Sequence, residues 1–149
     1  HCSECPPATL ARLRRSGAVV VTQPAFLYHS GRRYLSEVPR SRRPWLYRIR
    51  SFLEAGLRPA AGSDAPAVDP DPLVGICAAV TRRSESGESV GARERVAPYE
   101  ALKMYTLSGA YATFEEGRKG SIAFFISTLP LLPRMRCATG RRAANSTKR

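Results

Sequence analysis

A carboxylate closes the stretch Leu57-Arg58-Pro59-Ala60-Ala61-Gly62-Ser63-Asp64-Ala65-Pro66. Residues 57 to 61 read as a short buried strand. Gly62 frees the backbone for a sharp turn, and Pro66 stops further strand pairing. The carboxyl end of a strand is where α/β folds place their chemistry, so Asp64 is the candidate functional carboxylate. Ser63 and Asp64 also suit a turn or a helix N-cap. The histidines are His1 and His29. Taken alone, His1 reads as an ordinary terminal histidine and His29 as a loop histidine. Cys2 and Cys5 form a C-x-x-C beside His1, but a structural zinc site needs a second such pair, and Cys77 and Cys137 do not make one. Free thiols in a reduced compartment fit that pattern, with Cys77 packed in the core.

The elements that must position these residues follow from periodicity and punctuation. Pro6 and Pro7 open a helix over residues 8 to 15, and Gly17 stops it. Residues 18 to 23 are apolar and β-branched up to Thr22-Gln23-Pro24, the pattern of a strand buried on both faces. Residues 25 to 44 read as a long loop of lid or binding type. A helix over 45 to 55 shows Trp45, Ile49 and Phe52 on one face and ends at Gly56. The strand 57 to 61 then delivers Asp64. The two runs are expected as neighbouring parallel strands with the helix between them on one face. Asp71 caps a helix from 72 to about 82, with Leu73, Ile76, Cys77 and Val80 as its buried stripe. Residues 84 to 91 are a polar loop. Pro98 opens a further helix to about 116, with Leu102, Tyr105, Gly109 and Ala112 on one face.

The chain has 149 residues and a formal net charge of +12, enough for one domain with a real core. Half of the excess lies in residues 123 to 149, which carry Arg134, Arg136, Arg141, Arg142, Lys148 and Arg149 and no acid. Those residues are expected to form a separate basic tail, disordered or frame-shifted, whose apolar segment 124 to 132 can pack on a sheet edge. No apolar run approaches the ~18 residues of a membrane helix. No leader is visible, and a start on His1 reads as a piece of a longer protein. The expected setting is cytoplasmic, with no membrane partner. The charge by itself supports a basic nucleic-acid-binding module, but few aromatics interleave with the basic residues and no nucleic-acid motif is present, so nucleic acid is not the expected partner.

Several blocks in order carry a resemblance. They are His1-Cys2, Thr22-Gln23-Pro24, Ala55-Gly56-Leu57-Arg58, Gly62-Ser63-Asp64-Ala65-Pro66, Pro72-Leu73-Val74-Gly75-Ile76, Ala78-Ala79-Val80-Thr81-Arg82, Glu100 to Thr106, Gly109-Ala110-Tyr111-Ala112 and Gly120-Ser121-Ile122. Together they resemble the C-terminal part of the metal-dependent amidohydrolase superfamily. The nearest branch is amidohydrolase family 3, with its formamide-deformylase-like and D-aminoacylase-like members. The match runs over about residues 1 to 122.

The resemblance implies an α/β fold: about strands six to eight of a (β/α)8 TIM barrel, with a remnant of the accessory β-sandwich. Residues 18 to 23 correspond to strand seven and 57 to 61 to strand eight. His1 corresponds to the metal-binding histidine after strand six. Asp64 corresponds to the strand-eight aspartate, which touches the metal and manages a proton. The implied cofactor is a divalent metal of zinc type, one or two ions in the complete enzyme. The implied reaction is hydrolysis of a carbon–nitrogen bond in a small-molecule amide-type substrate.

The departures from the family pattern are specific. Its His-x-His after strand one, its bridging lysine or carboxylate and its strand-five histidine would precede His1. After Ile122 the family continues Pro-Gly-Lys, where this chain has Ala123-Phe124-Phe125-Ile126. A complete barrel takes ~250 residues. The expectation is therefore a part of a hydrolase that is inactive alone, with a basic nucleic-acid-binding module and an inactive structural remnant as the alternatives.

Overall fold

In the computed structural model, residues 1–122 are described. The expectations for the tail 123–149 lie outside the described residues. Helix α1 (Pro7–Ser16) opens on proline and closes at Gly17, whose φ of 69° is left-handed and favours a residue without Cβ. Strand β1 (Val21–Thr22) pairs in parallel with β2 (Ala60–Ala61), Val21 facing Ala60 and Thr22 facing Ala61. The ladder continues through Ala60 N–H to Val20 O at 2.9 Å and Gly62 N–H to Thr22 O at 3.0 Å. The expected parallel neighbours are thus present. They are short because Pro24 and Pro59 bracket the ladder and cannot donate to it. Val20 and Thr22 are buried while Val21 is 43% exposed, a period of two. Val20 packs with Cys5 and with Phe52 of α3 (Ile49–Glu54), which lies between the strands in sequence.

One loop reading and two helix readings need correction. Residues 25 to 44 are not one long loop, because Ala25–Glu37 is a helix, α2. Pro24 already has helical angles, and Leu27 and Gly31 bury one turn apart. A Cβ on Gly31 would stand 2.8 Å from Ser84 Cβ, so close approach rather than loop flexibility explains that glycine. The helix expected over 45 to 55 is interrupted. A 3-10 turn, Arg43–Trp45, precedes α3, and Tyr47 between them has a φ of 46°. Burial of the Tyr47 ring and a 2.9 Å hydrogen bond between its hydroxyl and that of Tyr34 hold this strained residue. The helix expected over 99 to 116 is two, α5 (Pro98–Tyr105) and α6 (Leu107–Ala112), broken at Thr106. The buried positions there are Ala101, Met104, Ser108 and Ala110, and Leu102 is 39% exposed.

Helix α4 (Pro72–Thr81) begins where expected, with Asp71 Oδ1 accepting from Leu73 N at 2.8 Å. It lies between α2 and α5. Ala78 joins the cluster around Leu27 and Tyr47, while Ile76 and Ala79 join the one around Ile49 and Met104. Burial on two sides is why its stripe is wider than the expected Leu73–Ile76–Cys77–Val80 line. Cys77 is disulfide-bonded, so the free-thiol reading does not hold for it; Cys2 and Cys5 are free. No helix among the described residues is long and apolar enough to cross a membrane.

Candidate metal centre

The amino end is tied down before it reaches the site. Cys5 N–H donates to Trp45 O and Tyr47 N–H to Ser3 O, each at 2.9 Å, making an antiparallel bridge between Glu4 and Leu46. Arg42 grips Glu4 through two 2.7 Å hydrogen bonds. Cys2 then turns with a φ of 48°, and the His1 ring stacks on Phe26 at the start of α2, centroids 6.2 Å apart.

From the other side, β2 runs into Gly62 and Ser63. The left-handed residue is Asp64, with a φ of 63°, and not Gly62, so the turn is built differently from the sequence expectation. Asp64 O accepts from Ala67 N at 2.8 Å, closing the turn through the main chain. Its carboxylate caps no helix among the described residues, α4 being capped by Asp71. Asp64 Oδ2 stands 3.4 Å from His1 Nε2. The two side chains are 53% and 43% exposed, so as an ion pair they stabilise the fold by at most ~1 kcal/mol.

The distance suits shared ligation. Two donors about 2.0–2.1 Å from a tetrahedral ion are roughly 3.3 Å apart. Imidazole nitrogen and carboxylate oxygen are the donor types that zinc-like ions take. They fit such an ion as half of a shell. Among the described residues no group of three or more His, Cys, Asp or Glu is gathered to complete it. His29 is exposed on α2, against Tyr28, and takes no part.

Two polar side chains at the carboxyl end of β1 had no place among the candidates. Thr22 is 0% and Gln23 7% exposed, yet Thr22 Oγ1 and Gln23 Oε1 have no hydrogen-bond partner among the described residues. Buried polar atoms are rarely left so. The signal in the sequence was polarity at the end of an apolar run. Thr22 O accepts from Gly62, and Gln23 O accepts from Phe26 N at 3.2 Å, so both residues border the two arms of the site.

The sequence profile described as the amidohydrolase family matches residues 1–124. The protein named amidohydrolase YtcJ of Bacillus subtilis (strain 168) is 31% identical over 117 residues, covering 76% of this chain and 22% of its own length. An N-substituted formamide deformylase of Arthrobacter pascens is 37% identical over 98 residues, covering 64% of this chain and 18% of its own. Among solved structures, an uncharacterized metal-dependent hydrolase from Pyrococcus horikoshii OT3 superposes on 82% of the chain with a TM-score of 0.72 at 21% identity. One from Pyrococcus furiosus superposes on 84% with a TM-score of 0.69 at 28% identity. The chain spans about a fifth of the curated relatives and 25% of either solved chain.

Proposed function

Because the chain belongs to the amidohydrolase family, we propose that it contributes two ligands to a divalent-metal centre that hydrolyses carbon–nitrogen bonds in small amide-type substrates. The observation that carries this reading is the 3.4 Å approach of His1 Nε2 to Asp64 Oδ2. On this reading β1 and β2 are strands seven and eight of a TIM barrel, and their carboxyl ends face the chemistry.

His1 and Asp64 would hold the ion, of zinc type. When bound, such an ion would supply Lewis acidity and lower the pKa of a water toward ~7. Asp64 Oδ takes up the proton released at that point and returns it to the leaving nitrogen. His1 contributes a neutral donor, oriented by the Phe26 ring. Two protein donors fall short of the three a catalytic zinc site generally takes, so this chain by itself does not turn over an amide.

The test is metal binding by the 149-residue chain. Titration with cobalt(II), read by its visible absorption, should show one weak site. Asp64→Asn should weaken that site about tenfold or more, on the scale by which altered metal surroundings lower affinity. Asparagine tolerates left-handed backbone as aspartate does, so the variant keeps the fold. Unchanged cobalt binding in Asp64→Asn would remove Asp64 from the centre.

A further inference from the structure

Away from the His1–Asp64 pair, positive charge gathers around a cleft where the 43–45 turn meets a second 3-10 turn, Ala92–Glu94. The cleft encloses about 400 Å³ and is lined by Arg40, Arg43, Arg48 and Arg93, with Trp45 and Glu94. Its lining includes neither His1 nor Asp64. Two of the guanidiniums are fixed by the main chain. Arg43 donates to Val38 O at 2.9 Å and to Leu35 O at 2.5 Å. Arg48 donates through Nη1 to Cys5 O at 3.2 Å, while its buried Nε has no hydrogen-bond partner among the described residues and stands 3.6 Å from Glu94 Oε1. Glu94 is already committed, accepting from Ser51 N at 2.9 Å and Ser51 Oγ at 2.5 Å. Arg40 and Arg93 are exposed and have no hydrogen-bond or ion-pair partner among the described residues. One engaged carboxylate therefore faces four guanidiniums around a half-buried indole.

We propose that this cleft binds a phosphate-bearing ligand of mononucleotide size. The phosphates sit among the four guanidiniums and the planar base lies on Trp45. Guanidinium forks match phosphate oxygens in pairs, and fixed ones lose little freedom on binding. Indole faces take bases of any sequence. The volume lies at the lower end of the ~300–1,000 Å³ range of small-molecule sites, which suits a nucleotide better than a strand. This inference is independent of the hydrolase reading, because it uses other residues and needs no metal.

Trp45 is the only tryptophan in the chain, so its fluorescence reports this cleft directly. The chain is titrated, without metal, with ADP, with pyrophosphate and with a single-stranded oligonucleotide. Calorimetry is run in parallel, and circular dichroism checks each variant. ADP should change Trp45 fluorescence saturably and bind more tightly than pyrophosphate. Arg40→Ala and Arg93→Ala should each weaken ADP about tenfold, the effect of one lost charged hydrogen bond. Arg12→Ala removes the same charge from an exposed position outside the cleft and should change nothing. Absence of saturable binding, or equal weakening by Arg12→Ala, overturns the site. Pyrophosphate binding as tightly as ADP overturns the base contact. Displacement of ADP by the oligonucleotide at equal nucleotide concentration reassigns the cleft to nucleic acid.

Discussion

Cys2 and Cys5 share one short segment and differ in burial. Cys5 is 0% exposed and packs with Val20 and Phe52, whereas Cys2 is half-buried. Burial, with the adjacent Cys2 thiol, pushes the Cys5 pKa up to about 11 from an ordinary 9.0. The thiolate is the reactive form, so Cys5 should be inert at pH 8. Iodoacetamide on the native chain should label Cys2 and spare Cys5, read by fragmentation of the amino-terminal peptide, and both should react in urea. The same shift sets a pH dependence. Between about pH 9 and 11 the unfolded chain loses the Cys5 proton and the folded chain keeps it. Stability therefore falls through that window, and Cys5→Ala should flatten that part of the profile. Labelling of native Cys5 at the rate of Cys2 would contradict the buried placement.

At the scale of elements, the contact between α4 and α5 depends on Gly75. A Cβ there would fall on the Tyr105 hydroxyl and stand 2.7 Å from its Cζ. The Tyr105 ring is half-buried, packed against the cluster of Ile76 and Met104, and burial pushes its pKa well above the ordinary tyrosine range. Gly75→Ala should cost about 1–3 kcal/mol despite the better helix propensity of alanine. Thermal unfolding should move down by several degrees. Adding Tyr105→Leu removes the opposing atoms, so the double variant should lose less than the two single losses combined. Strict additivity would mean that the two helices do not meet as described.

Arg82 joins the layers of the whole molecule. It ends α4 in a left-handed conformation with a φ of 53° and is 0% exposed. Its guanidinium donates to Val90 O at 2.8 Å and to Tyr47 O and Leu46 O at 2.9 Å each. It thereby ties α4 to the 83–90 loop and to the turn before α3. Burial brings its pKa down to about 10, so it stays charged at neutral pH. Arg82→Met should cost roughly 3 kcal/mol or more, because buried carbonyls lose their donors. Arg82→Lys should recover little, since an ammonium is not a rigid fork. Urea unfolding measures both, and a midpoint near the original in Arg82→Met would remove the residue from this role.

Some of this was already determined along the chain. The parallel strands were legible because β-branched and apolar runs ended at Pro24 and at Gly62 to Pro66. Helix starts were legible because Pro7, Asp71 and Pro98 act on the next few residues. Motif blocks in order gave the family. Those signals are local, and the structure honours them. What the sequence left open was decided by contacts between distant segments. Residues 25 to 37 became a helix because Leu27 and Gly31 found α4 and Ser84 to pack on. The helix break at Tyr47 was set by Tyr34 and Arg82. The turn residue proved to be Asp64 and not the glycine before it. His1 and Asp64 lie at opposite ends of the 1–64 stretch, and periodicity carries no information over that span. Only the pinning of residues 3–5 to 45–47 and the β1–β2 register bring their side chains within 3.4 Å.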